Sequence, residues 1–126
     1  MKSIFSFLLL MTFHGLAADP VAAWSTGVVI KPVSLIEGRH TTHSYYLTNP
    51  ESPDGKCVLF FTSTDPQGHL GEVRMIERAT GKETVLADNV HTEDAHRVAC
   101  QQWLSGGKRV AFHEVIDKKW RVVVVE

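Results

Sequence analysis

The chain has 126 residues, 44% of them hydrophobic and 21% charged, with a formal net charge of −1. That length allows one domain at most, and a balanced charge with no basic stripe excludes nucleic-acid binding as a class. No stretch approaches the about 20 apolar residues that a helix needs to cross a bilayer, so no transmembrane span is expected.

The first element is Met1-Lys2-Ser3 followed by an apolar run over residues 4–13, then Gly15-Leu16-Ala17-Ala18 and Asp19-Pro20. A short positive start, an apolar centre and small residues before a polar break describe a cleavable secretory signal peptide over 1–18. Export to the periplasm or outside the cell is the expectation. No Cys follows the small residues, so a lipid anchor is not indicated. Residues 19–42 form an N-terminal segment whose core is "STGVVIKPVSL" (25–35), a Thr-Gly turn leading into an apolar strand.

From there the chain reads as strand almost throughout. Short β-branched or aromatic runs bounded by Gly, Pro, Asp or Ser predict strands near 45–49, 57–63, 72–78, 83–86, 97–103, 108–114 and 120–125. No segment of the exported part has helical periodicity with caps. Pro53 presets the first corner of a turn, Asp54 tolerates the second, and Gly55 supplies the freedom that follows. Cys57 and Cys100 both fall in apolar strand-like segments. An oxidising compartment permits a disulfide, but a free Cys in such a place serves as a small hydrophobe, and that is the expectation. With no CxxC, neither a zinc ribbon nor a thioredoxin-type site is indicated.

The strands repeat. "SPDGKCVLFFTS" (52–63) aligns with "LSGGKRVAFHEV" (104–115), "GEVRMIER" (71–78) with "KWRVVVVE" (119–126), and "STGVVIKPVSL" (25–35) with "ATGKETVLADN" (79–89). Three elements recur in one order with a period of about 50 residues, which suits a four-stranded propeller blade.

"SPDGKCVLFFTS…GEVRMIERATGKETVL" resembles the TolB-type propeller repeat, and the run from Ser25 to Phe60 is similar to the N-terminal part of oligogalacturonate lyases, seven-bladed propeller enzymes. The resemblance covers residues 24–126. It implies an all-β chain holding one complete and one partial four-stranded antiparallel blade of a β-propeller, with blade 1 over 43–90 and an incomplete blade 2 over 91–126. The segment at 26–33 would be the ring-closing strand, and the missing propeller blades would be its partners. The family's manganese site, made of His and Gln side chains, belongs to later blades, so a divalent metal such as manganese is implied only for a full-length protein. This chain is then expected to be an N-terminal piece, inactive alone as a lyase. Acidic oligosaccharides are the implied ligands; an envelope protein is the implied partner if the module is non-catalytic, as TolB-type propellers are.

Apart from His14, the histidines concentrate in "GRHTTHSYY" (38–46) and "VHTEDAHRVACQQW" (90–103), each just ahead of an expected innermost strand. Three roles are open. As metal ligands, His40, His43, His91 and His96 offer imidazoles, with Glu93 or Asp94 to complete a set, but no HxH or HExxH spacing marks a metal site. As an acidic-sugar site, Arg97 pairs a carboxylate, Gln101, Gln102 and His96 donate hydrogen bonds, and Tyr45 or Trp103 stacks, with Asp94 alongside. In that case His43 or His96 is the candidate catalytic base and Arg97 the stabiliser of enolate-like charge. Third, Asp94, His96 and Arg97 can form a salt-bridged turn that organises the crossing between repeats. Trp103 and Trp120 each border an apolar strand and are expected in packing, and "HEVIDKKW" (113–120) is a solvated hairpin.

Overall fold

The structure, a computed structural model, describes residues 22–43, 48–93, 96 and 98–126. The chain divides into two compact units, Met1–Lys31 and Pro32–Glu126. The expected leader over 1–18 lies outside the described residues. The described part of the first unit holds one helical turn, α1 (Ala22–Ser25), and a Thr26-Gly27 turn in which Gly27 takes φ 80°. Residues 28–36 join no strand.

The second unit is all-β. Its strands are β1 (His40–Thr42), β2 (Cys57–Ser63), β3 (Leu70–Glu77), β4 (Glu83–His91), β5 (Gln102–Leu104), β6 (Arg109–Ile116) and β7 (Lys119–Val125). They form two antiparallel sheets in strict chain order, β1-β2-β3-β4 and β5-β6-β7. Among the described residues no helix is long and apolar enough to cross a membrane.

The corner before β2 follows from its residues. The Ser52 Oγ donates to Asp54 (2.7 Å) and accepts from the Cys57 amide (2.9 Å), and Asp54 also accepts from the Lys56 amide (3.1 Å). Gly55 closes the turn onto the Ser52 carbonyl (2.8 Å) at φ 72°, a left-handed conformation open to glycine at no steric cost. Repeat-equivalent residues then pair alike. Glu51 lies opposite Val58 as Trp103 lies opposite Val110, and the Ser52–Cys57 closure matches Leu104 opposite Arg109.

That register moves the expected innermost strands. The stretches that pair beside the turns are 50–52 and 102–104, because a tight corner pairs the residues immediately beside it. Of the expected strand 45–49 only 48–49 are described, and they join no strand; of 97–103 only 102–103 do, 97 lying outside the described residues. In the first sheet the inner edge continues upstream as β1, with Thr42 opposite Phe61 and Glu51 opposite Val58, so that only Leu59 and Phe60 intervene on β2 between the two pairings. Positions 44–47, including Tyr45, lie outside the described residues. In the second sheet, Val98–Gln101 is irregular, with Cys100 at φ 44° and the His113 amide donating to the Ala99 carbonyl. The outer strand β4 is longer than the expected 83–86. It carries extra residues against β3: Val90 opposes Gly71, Ala87 opposes Val73, and Val85 opposes Arg74, with Leu86 left out of the ladder. Asn89 sits in this bulged stretch at φ 52°, a conformation that Asn adopts more readily than most residues.

The sheets pack face to face. Leu59, Phe61, Val73 and Val90 meet Val98, Ala99, Val110 and Phe112, with Met75, Leu86, Trp103, Val123 and Val125 around them. Burying one such side chain contributes about 1.5–3 kcal/mol. Opposed residues of an antiparallel pair share a face, so Val110, Phe112, Val123 and Val125 make one face of the second sheet. In the repeat alignment Val110 and Phe112 correspond to Val58 and Phe60, which lie on the face of the first sheet opposite to Leu59 and Phe61. The two sheets therefore meet through opposite faces of the aligned strands, and not as the halves of a two-fold sandwich. On the far face of the first sheet, Arg39, Glu72, Arg74 and Glu83 form a half-buried chain of ion pairs at 2.7, 2.6 and 3.2 Å. Both cysteines are free thiols.

Candidate functional site

The histidines gather at one end of the first sheet because of strand direction. His40 opens β1 opposite Ser63, the last residue of β2, and His91 closes β4 opposite Leu70, the first of β3. The β2–β3 connection, residues 64–69, lies at that same end. Four strands about 4.8 Å apart put His40 and His91 roughly 14 Å from each other across the sheet. His43, exposed, lies beyond β1 and about 10 Å further down the inner edge by strand rise. His96 is exposed; Asp94 and Arg97, with Tyr45, lie outside the described residues. Gln101 is buried in the core region, at 1% exposure, and so not at this end's surface.

The best-formed part of this end centres on a residue that the sequence reading passed over, His69. The Asp65 carboxylate accepts from the Gln67 amide (2.8 Å), the His69 amide (3.2 Å) and the His69 Nδ1 (2.8 Å). These bonds hold the Asp65 carboxyl below its ordinary pKa, the Gln67 amide first and the His69 ring second. With Nδ1 engaged by the Asp65 carboxylate, the imidazole of His69 keeps Nε2 as its other polar atom. Thr92 then ties the exit of β4 to this hairpin: its amide donates to the His69 carbonyl (2.9 Å) and its hydroxyl to the Gly68 carbonyl. His91 is thereby fixed beside His69. A signal for His69 was present in "DPQGH" (65–69), an Asp set before a Pro/Gly turn and four residues ahead of a His.

The second sheet completes the surroundings. The β6–β7 hairpin turns on Asp117 and Lys118, both left-handed (φ 51° and 60°), a two-residue loop of the kind that matches strand twist. It brings Glu114, Asp117 and Lys118 to face His69, His91 and Thr92 around a cavity of about 520 Å³. Next to it, Trp120 donates from Nε1 to Glu93 (3.1 Å) and meets His113 edge-on at 6.1 Å. Trp103 instead faces the core and donates to the Pro50 carbonyl (2.9 Å). A second cavity, about 360 Å³, is lined by Arg39, Glu72 and Asp88, but its one guanidinium is already held by Glu72.

Chemically the larger cavity offers two imidazoles, an ammonium and a hydroxyl against two carboxylates, a set that hydrogen-bonds a polar, hydroxyl-rich and partly anionic ligand. It does not fit a metal: among the described residues no three His, Cys, Asp or Glu side chains converge, and no manganese chemistry is derived from this chain. Comparison of the chain with family models, with curated proteins and with solved structures finds no match.

Proposed function

We propose that the two sheets are consecutive blades of a propeller-type array of an exported protein, and that the end carrying His69, His91 and Lys118 binds acidic saccharides. The array is supported by the neighbouring of repeat-equivalent corners. A Cβ on Gly107 would come 3.3 Å from Pro53, and Gly107 is the repeat counterpart of Gly55 in the Pro53 turn. The β2–β3 and β6–β7 hairpins likewise meet at the opposite end. In stacked repeats, equivalent loops enter equivalent places. The saccharide reading is carried by one observation, the Asp65-held His69 facing Lys118 across an open cavity. A uronate places a carboxylate beside ring hydroxyls, and this set supplies a cation for the first and mixed donors and acceptors for the second.

The test is a titration of the ¹⁵N-labelled protein with oligogalacturonate, followed by amide shifts. Saturable shifts at His69, His91 and Lys118 are expected, absent with a neutral oligosaccharide of equal length, and lost in Lys118→Asn, which keeps a left-handed residue in the turn. Equal shifts with both sugars, or none, would remove the reading. A second reading, docking of an envelope protein, is favoured by Trp120, Val122 and Val124, which are exposed on the outer face of the second sheet. It predicts that capture of such a partner survives Lys118→Asn and fails on Val122→Lys.

A further inference from the structure

Between two matched pairs of the first sheet, one strand carries more residues than the other. Gly71 opposes Val90 and Val73 opposes Ala87, so β3 contributes Glu72 alone where β4 contributes both Asp88 and Asn89. Two residues against one make a β-bulge, a device that re-aims side chains and is over-represented beside active sites. Here it brings Asp88 and Asn89 to the cavity of about 360 Å³ that Arg39, Thr64, Leu70 and Glu72 also line.

The charges around this cavity do not balance. The Glu72 carboxylate is shared between two guanidiniums, those of Arg39 (2.7 Å) and Arg74 (2.6 Å), which fix and neutralise it. The Asp88 carboxylate enters no ion pair among the described residues. One uncompensated negative charge therefore lines the cavity, next to the Asn89 carboxamide and the Thr64 hydroxyl. A buried polar group on this face also lacks a partner. Thr62 stands opposite Glu72 at 0% exposure, and its hydroxyl bonds to nothing among the described residues. Opposed residues of an antiparallel pair have Cβ atoms about 5 Å apart, so this hydroxyl adjoins a wall of the cavity. Buried hydroxyls are nearly always satisfied, and the exceptions coincide with catalytic groups or with bound water and ions.

We propose that this cavity binds the protonated amine of an amino sugar. The ammonium pairs with Asp88. The ring hydroxyls exchange hydrogen bonds with Asn89, Thr64 and the Arg39 N–H groups that Glu72 does not take, and Leu70, 42% exposed, underlies the C–H face of the ring. The volume lies near the lower end of ligand pockets, about 300–1,000 Å³, and suits a single ring. A bare metal ion is less well served, since no third His, Cys, Asp or Glu converges there among the described residues. Asp88 also repels a uronate, the opposite preference to that of the cavity holding Lys118. The inference is therefore independent of the acidic-saccharide reading.

The test is a titration of the ¹⁵N-labelled protein with D-glucosamine to about 20 mM, because a one-ring ligand binds in the millimolar range. It is run at about pH 6, below the range in which such amines lose their proton. Saturable shifts are expected at Thr64, Asp88 and Asn89. None are expected there with D-glucose or N-acetyl-D-glucosamine, which keep the ring and lack the charge. Asp88→Asn should weaken binding by roughly tenfold. Asn89→Gly, which keeps a residue at ease in the left-handed conformation, should weaken it by about threefold. Amide spectra unmoved elsewhere show that both variants keep the fold. Equal shifts with either neutral sugar, no shift at the highest concentration, or binding undiminished in Asp88→Asn overturns the proposal. So does saturation of the same amides by calcium chloride at about 1 mM, because the carboxylates would then be holding a metal ion.

Discussion

The two repeat units build the same corner by different means. Before β2 the corner is cross-linked by side chains, with Ser52 and Asp54 satisfying each other and two backbone amides. Before β6 it is made of backbone freedom alone: Ser105, Gly106 and Gly107 are successively left-handed, and no side chain caps them. A position in a repeat is thus set by the path that the chain must take, and either hydrogen bonding or glycine can provide it.

That contrast can be broken most severely away from the corners, at Gly71, for which the second unit has no counterpart glycine. Any Cβ at this position falls under 3.0 Å from the Phe61 ring and from the Thr62 carbonyl. The carbonyl is backbone in a paired strand and cannot move aside. Gly71→Ala should cost about 3 kcal/mol, at the upper end for overpacking, and lower the denaturant midpoint with the slope unchanged. A loss below about 1 kcal/mol, the low end of that range, would mean that β2 and β3 slide apart freely.

A smaller effect sharpens the comparison at the corners themselves. Ser52→Ala leaves the part-buried Cys57 amide without its acceptor and should cost about 1–2 kcal/mol. Ser105→Ala, in a corner that makes no such bond, should change stability by less than about 0.5 kcal/mol. Urea melts of both variants decide this. Equal losses would show that the second corner also depends on its serine.

The smallest effect is that of pH. The Asp54 carboxyl lies below its ordinary pKa, held first by the Ser52 hydroxyl and then by the Lys56 amide, and Asp65 is lowered in the same sense. A carboxylate with a depressed folded-state pKa contributes stability above its unfolded value near 4, and loses it as the pH falls through the lower, folded one. Stability should therefore be flat from pH 7 to about 5 on account of these groups and decline below about 4. In Asp54→Asn with Asp65→Asn the decline should shrink. An unchanged acid limb would assign it to other carboxylates.

Much of the fold was legible because turns and strands agree with one another: Pro53-Asp54-Gly55, the apolar run of β2 and the Thr80-Gly81 hairpin each point to the same meander, and the second copy repeats the message. Where reading failed, tertiary pairing outweighed local preference. Asn49-Pro50-Glu51 has poor strand propensity, yet the corner forces it against Val58 and Leu59; Tyr45-Tyr46-Leu47, with the better propensity, lies outside the described residues. The candidate site was half legible. The histidine-rich loops were visible as clusters, and strand direction brings His40 and His91 to one end. His69 was not visible as a partner of Lys118, because they come from hairpins of different units and meet only when the sheets stack. Whether Arg97 and Asp94 join them was a reading of residues outside the described set.

The nearest-neighbour pairing of the strands has a consequence in time as well as in space. Every ladder joins strands adjacent in the chain, so each strand pairing closes a single connection. Such a chain closes short loops first and folds by extension. As the chain emerges N-terminus first, the meander from β1 to β4 can form before β6 follows. The second sheet then grows on a finished wall of Leu59, Phe61 and Val73, with the first corner waiting under the next.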